Sequence, residues 1–158
     1  MESEIKSATL DDLNNIQKFN LLLLKELNKN CNQTNNCDWS LSKKGGEYFK
    51  ERIIQNSGCV FIALINNKII GYLAGSIQEK QYYRKTINSA EIDSFFVLNK
   101  FRRKYVGSQL FKTFIQWCNS KRIKRISVTT PYENIPAIKF YRKQGFADYD
   151  LILESIIK

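Results

Sequence analysis

AEIDSFFVLNKFRRKYVGSQL, residues 90–110, changes its period halfway along. The first part is apolar and β-rich, whereas Val106, Leu110, Phe114 and Trp117 recur at the spacing of one helical face. Between them lies a cationic turn with a single glycine, Gly107. A strand that runs through such a turn into a helix offers the backbone N–H groups of residues 103–108 to an anion, and the helix dipole reinforces the attraction. Arg102 and Arg103 or Lys104 would add charge there, and Gly107 would let the backbone approach closely. A pyrophosphate fits this geometry; the plain alternative is a basic surface turn ahead of a core helix.

Outward from this stretch, the pattern predicts a chain of alternating elements. SEIKSA reads as a short strand and TLDDLNNIQKFNLLLLKELNK as an amphipathic helix with Thr9 as its N-cap. Residues 30–41 are Asn-rich and polar, a loop, and a second helix is expected at about 42–56. CVFIALI (59–65) and KIIGYLAGSIQ (68–78) are strands joined by Asn66 and Asn67, a hairpin signal. NSAEIDSFFVL (88–98) is a third strand, followed by a helix at 106–120, a strand RISVTT (125–130), a helix ENIPAIKFYRKQG closed by Gly145, and a final strand FADYDLILESII. The order β-α-α-β-β-β-α-β-α-β is that of one α/β domain, residues 1–158, with a mixed sheet.

The composition limits the chemistry. There is no histidine, so Ser-His and Cys-His nucleophiles and mixed Cys/His zinc sites are excluded, and acid–base work falls to carboxylates, tyrosine, lysine, cysteine or water. Cys31, Cys37, Cys59 and Cys118 lack CxxC spacing, and a Cys31–Cys37 disulfide is the minor reading in a chain expected to be cytoplasmic. That expectation rests on an acidic start, MESEIKSATL, and on apolar runs far too short to span a membrane. The net charge of +10 lies entirely in the second half: residues 1–79 hold nine basic and nine acidic residues, and residues 80–158 sixteen and six. Such a half suits nucleic acid, an acidic surface or a polyphosphorylated cofactor. The clusters at 102–104, 121–125 and 139–143 do not form a nucleic-acid-binding motif, which leaves that reading the weaker one.

Two patterns in order, the 90–110 stretch and ENIPAIKFYRKQGF (133–146), make the chain resemble the Gcn5-related N-acetyltransferase (GNAT) superfamily. The second matches the family's Asn-x-x-Ala-x-x-x-Tyr-x-x-x-Gly-Phe segment at Asn134, Ala137, Tyr141, Gly145 and Phe146. The resemblance implies a mixed, mostly antiparallel central sheet with helices on both faces and a splayed parallel strand pair in the middle. It also implies acetyl-CoA as cosubstrate, no metal, and transfer of the acetyl group to a primary amine by direct attack in a ternary complex. The CoA would be held by the backbone of Phe95, Phe96 and Val97, by the loop Arg102, Arg103, Lys104, Tyr105, Val106, Gly107 and Ser108, and by Asn134. Tyr105 stands where the family loop has its first glycine, a departure that right-handed helical dihedrals would accommodate.

For catalysis the resemblance implies Tyr141 as general acid toward the departing thiolate and Glu91, six residues before Val97, as base. The alternatives are a core tyrosine beside Phe140 and a solvent-facing strand acid. Asp93 would share the sheet face of Glu91. Thr129 takes the place of the glutamate that another branch of the family uses. For the acceptor, small molecule or protein, analogy offers Asp38, Trp39, Tyr82, Tyr83 and Asp93. A homodimer stays open, no membrane partner is expected, and the alternative function is a CoA-binding regulatory or partner protein without catalysis.

Overall fold

The computed structural model describes residues 3–85 and 88–157. Its elements are β1 (Glu4–Ser7), α1 (Leu13–Asn30), α2 (Lys43–Ile54), β2 (Gly58–Ile65), β3 (Lys68–Ile77), β4 (Ser89–Val97), α3 (Val106–Ser120), β5 (Arg125–Val128) and α4 (Ile135–Lys143). Local chemistry explains most of the boundaries. The Thr9 N–H donates to the Asp12 carboxylate at 2.9 Å, opening a 3₁₀ turn that leads into α1. Ser42 caps α2 by accepting from the Gly45 N–H, and Gly145, at φ 93°, ends the α4 turn as a left-handed residue. Asn66 and Asn67, both at positive φ, make the tight β2–β3 hairpin.

The five strands lie in the order β1-β2-β3-β4-β5. All neighbours are antiparallel except β4 and β5, which are parallel over Ser89–Ile92 and Arg125–Val128. Helices cover both faces. On one, α3 and α4 close over Phe61, Leu73, Ile92 and Val97 with Leu110, Phe114 and Tyr141. On the other, α1 and α2 bring Ile16 and Phe49 onto Ile62, Tyr72 and Phe96. Burial from both sides accounts for the near-continuous apolar runs of β2 and β3.

Two irregularities shape β4. Ala74 faces Ser94 and Gly75 faces Ile92, so Asp93 is an extra residue, a bulge. It turns two successive side chains, Asp93 and Ser94, to the α1–α2 face before alternation resumes with Phe95 on the α3–α4 face. Opposite it only glycine fits at position 75, since a Cβ would stand 2.5 Å from the Phe114 ring and 2.9 Å from the Glu91 carbonyl. Second, the β4–β5 pairing stops at Ile92, and residues 93–97 continue without a strand on that side.

One expected element is absent: the segment after Phe146 forms no strand, and residues 147–157 are exposed. Arg142 holds Asp148, while Arg84 and Arg125 hold Tyr149 and Asp150, so the segment is drawn to the start of β5 rather than along it. The parallel pair therefore lies at the end of the strand order. All four cysteines are free, so Cys31 and Cys37 are not bridged.

Candidate active site

Where β4 leaves β5, the sheet opens into a wedge whose backbone groups follow from the ladder. The Leu98 N–H donates to the Ile70 carbonyl at 2.9 Å, so Leu98 and, two residues back, Phe96 turn their groups toward β3. Phe95 and Val97 then turn theirs into the wedge. Of the three residues expected to meet a pantetheine arm through their backbone, Phe95 and Val97 have groups turned into the wedge and Phe96 does not. The Val97 carbonyl is already taken by Arg102 Nε at 2.7 Å, which leaves the Val97 N–H and both Phe95 groups.

At the wedge's upper end the chain enters α3 through two left-handed residues, Arg103 (φ 57°) and Tyr105 (φ 65°). The right-handed conformation expected of Tyr105 is thus replaced by the one a glycine would adopt, with the tyrosine ring 79% exposed. This backbone leaves the N–H groups of residues 103–108 without a protein acceptor among the described residues; the first bond of the helix runs from Gln109 N to Tyr105 O. Six free donors at a helix start are what the anion nest anticipated from the sequence would require. Val106 inserts its side chain in the core, Ser108 is half-buried, and the open face of Gly107 looks toward Phe140 and Phe95.

The cations of the turn divide by role. Arg103 and Lys104 are exposed and make no ion pair among the described residues. Arg102, expected to face the anion, is committed elsewhere: its fork meets both oxygens of Glu26 at 2.7 Å, and its guanidinium lies 5.2 Å from the centre of the Phe96 ring. Its side chain ties α1 to the end of β4. The reason is reach, because the nest turns the backbone of residue 103 outward while residue 102 is still extended.

The candidate acid and base lie on opposite faces of the wedge. Tyr141, on α4, is buried among Phe140, Phe146 and the α3 residues, and burial pushes its hydroxyl well above the usual phenol range. Among the described residues the enclosed side-chain atoms without a partner are Arg84 Nε and Ser94 Oγ. The Tyr141 hydroxyl is not one of them, and no group among the described residues bonds it. Asn134 spends its side-chain oxygen on capping α4, accepting from the Ala137 N–H at 3.4 Å.

Glu91, on the α1–α2 face, pairs with Ser127 one step before the strands part. Its carboxyl is raised above the ordinary glutamate range, first by burial and then by the charge of Asp93, and Thr129 opposes this weakly by donating to it at 3.5 Å. Thr129, the position at which another branch carries its base, therefore adjoins the glutamate this chain does carry.

Asp93 shares that face, as its spacing implies, but its carboxylate is engaged: Arg52 Nε donates at 2.7 Å and Ser76 Oγ at 3.0 Å. Arg52 also lies over the Tyr48 ring, at 4.5 Å. Asp93 and Tyr48 line a cleft of about 450 Å³ together with Asn20, Asn35, Asn36, Trp39, Phe49 and Ser94. At its base Ser40 Oγ donates to Asn20, and Asn20 donates to the Tyr72 hydroxyl. Of the acceptor residues expected from the sequence, Trp39 and Asp93 line the cleft. Asp38 is exposed outside it, and Tyr82 and Tyr83 stand almost wholly in solvent on the β3–β4 connection. Tyr48 and Asn20 were not anticipated; their only signal is helical phase, Tyr48 with Arg52 one turn on and Asn20 with Ile16 one turn back.

No group of metal-binding residues occurs among the described residues, and no helix there is long and apolar enough to cross a membrane.

Comparison with known proteins agrees with this fold. An L-amino acid N-acetyltransferase of Escherichia coli is 28% identical over 102 residues, a match that spans 62% of this chain but only 59% of that enzyme. A Clostridium acetobutylicum protein described as a predicted acetyltransferase, solved with acetyl-CoA, superposes with a TM-score of 0.78 at 20% identity, covering 98% of this chain and 96% of the other. AAC(6')-Iy, solved with a bisubstrate analogue joining CoA to an acetylneamine, superposes at 0.74 with 19% identity, over 100% and 99% of the two chains. The sequence pattern of the acetyltransferase (GNAT) family matches residues 23–146, from the middle of α1 to Phe146, and the chain belongs to that family.

Proposed function

We propose that this chain moves the acetyl group of acetyl-CoA to a primary amine by direct attack in a ternary complex. One observation carries the reading: the wedge between β4 and β5 joins a cleft on the α1–α2 face to an anion nest and a buried tyrosine on the α3–α4 side. The free donors of residues 103–108 suit the pyrophosphate, with Arg103 and Lys104 adding charge. The Phe95 groups and the Val97 N–H suit the amides of the pantetheine arm.

Glu91 then takes the proton that an ammonium must lose before its nitrogen attacks the acetyl carbon, directly or through water, and a carboxyl raised above the ordinary range is the better base for it. As the carbon–sulfur bond breaks, Tyr141 gives its hydroxyl proton to the departing sulfur in surroundings that solvate a thiolate poorly. Solvent later restores it.

The cleft also narrows the acceptor. Its lining holds three asparagines, three aromatic rings and one carboxylate, Asp93, which Arg52 already pairs. The amides and rings favour a hydroxyl-bearing amine whose ammonium can lie against an aromatic face.

The test is thiol release from acetyl-CoA in the presence of a panel of aminosugars, polyamines, amino acids and peptides. Wild type should turn over at least one cationic amine, and Tyr141→Phe should lose roughly 10²- to 10⁴-fold in kcat with little change in KM for acetyl-CoA. Tight acetyl-CoA binding without thiol release on any amine would make the chain a binding protein instead.

A further inference from the structure

Among the described residues the most enclosed ion pair is that of Arg52 with Asp93, whose side chains are 22% and 9% exposed. Desolvation offsets most of the attraction in such a pair, so stability alone is a weak reason for it. Its surroundings hold the carboxylate still. Arg52 Nε donates to one oxygen at 2.7 Å and Ser76 Oγ to the other at 3.0 Å, while the Gln78 amide, donating to Ser76 Oγ at 3.1 Å, aims the serine's proton at Asp93. The guanidinium in turn rests on the Tyr48 ring. With both oxygens occupied, Asp93 is poorly placed to take a proton from a substrate.

What its charge does reach is Glu91. The two carboxyls share the α1–α2 face of β4, two residues and roughly 7 Å apart along the strand. The other neighbours of Glu91 add little. β3 sets Ser76 opposite it, and β5 offers Ser127 and, at 3.5 Å, the Thr129 hydroxyl. Arg125, its diagonal neighbour on β5, is turned onto Tyr149 at 4.2 Å, and Glu26 of α1 is bound to Arg102 at the far end of β4. Tyr48 stays neutral, because burial and then the charge of Asp93 hold its hydroxyl well above the phenol range, with Arg52 opposing. A bare carboxylate this close, below the surface, would strongly oppose the ionisation of a second. Asp93 is not bare, and its charge ranks behind burial in raising the Glu91 carboxyl.

We propose that Arg52 and Asp93 are positioning residues for acetyl transfer: the guanidinium holds Asp93 beside Glu91 as a fixed, partly neutralised charge, and the balance of the two decides where Glu91 begins to act as a base. The inference rests on Glu91 being the base, as in the function proposed above.

Two substitutions should displace Glu91 in opposite directions. Asp93→Asn removes the repelling charge and leaves Arg52 unpaired nearby, so the acid limb of kcat/KM should move to lower pH. Arg52→Met leaves two bare carboxyls on one face, and the last proton to leave them should do so at higher pH, carrying the limb upward. Arg52→Lys should lie between Arg52→Met and wild type, and it carries the comparison should Arg52→Met fail to fold. Acetyl-CoA affinity, read by calorimetry, should be the same in all. A second reading needs neither acceptor nor turnover: the carbon-13 shift of the Glu91 carboxyl, followed through a pH titration of each protein by NMR, should show the same opposed displacements. Titrations that stay at the wild-type pH, or move the same way in both variants, would overturn the inference and leave Glu91 as the base. Displaced titrations beside an unmoved limb would overturn the base reading, and the inference would fall with it.

Discussion

Replacing Arg102 by alanine should injure the fold more than it injures CoA binding. Its fork donates two short bonds to Glu26 and its Nε a third to the Val97 carbonyl, with both ionic side chains about one-third exposed. A partly exposed ion pair contributes up to about 1 kcal/mol, and the bidentate geometry places this one at the upper end. The bond to Val97, made by a charged donor, adds about 1.5 kcal/mol, and contact with the Phe96 ring adds about 0.5 kcal/mol. The loss should therefore be about 3 kcal/mol, or roughly 6–12 °C in Tm for a chain of this length. Arg102→Lys should recover little of it, because an ammonium cannot span both oxygens and the carbonyl. Arg103→Ala and Lys104→Ala should do the reverse: unchanged melting, weaker acetyl-CoA binding, and a shallower dependence of that binding on salt. Urea titration and calorimetry on the three variants separate the two roles. Wild-type stability in Arg102→Ala, combined with an affinity loss matching that of Arg103→Ala, would refute the reasoning and return Arg102 to the phosphates.

Two further outcomes follow from the site. Glu91→Gln should remove the rise of turnover with pH that a base of raised pKa imposes: the wild-type carboxylate is lost as pH falls through its elevated pKa, whereas the amide does not titrate, so the mutant should be slow and flat across that limb with acetyl-CoA affinity intact. A pH–rate profile unchanged by the substitution would move the base elsewhere. Tyr105→Gly should relieve the left-handed strain of a residue that buries little, raising stability by about 0.5–1 kcal/mol after the greater entropy of the unfolded glycine chain is offset; equal or lower stability in a urea titration would show the tyrosine ring to be held by contacts.

Much of this was legible in the sequence because the signals were periodic or chemically narrow. The change of period at residue 106 placed β4 and α3, Asn66–Asn67 placed the hairpin, and Asn134 and Gly145 bracketed α4. What escaped has physical causes. The apolar alternation of 147–157 is a sound strand signal, but pattern reports what a segment can cover and not whether its own chain leaves an edge within reach. The side chain of Arg102 could not be assigned from a run of three cations, because its partner, Glu26, is 76 residues away and meets it only once α1 packs on β4. Likewise Tyr48 and Asn20 become cleft residues through the packing of α1 and α2, while Asp38, one residue from Trp39, faces outward. Tyr105 is a local failure: the turn demanded a left-handed residue, and the sequence supplied one that pays for it in strain.

The extra residue in β4 has a consequence for how this chain can change. Because Ile92 and Phe95 point to the same face with two residues between them, removing Asp93 would leave Ile92, Ser94 and Phe95 in plain alternation, each on the side it already occupies. A length change inside a central strand ordinarily inverts everything beyond it. Here it does not, so position 93 is a place where the reading frame of the sheet is insensitive to the loss of one residue. The wall of the cleft can be shortened or changed in chemistry there while the strand that borders the wedge keeps its register, which lets the cleft vary independently of the wedge and the nest.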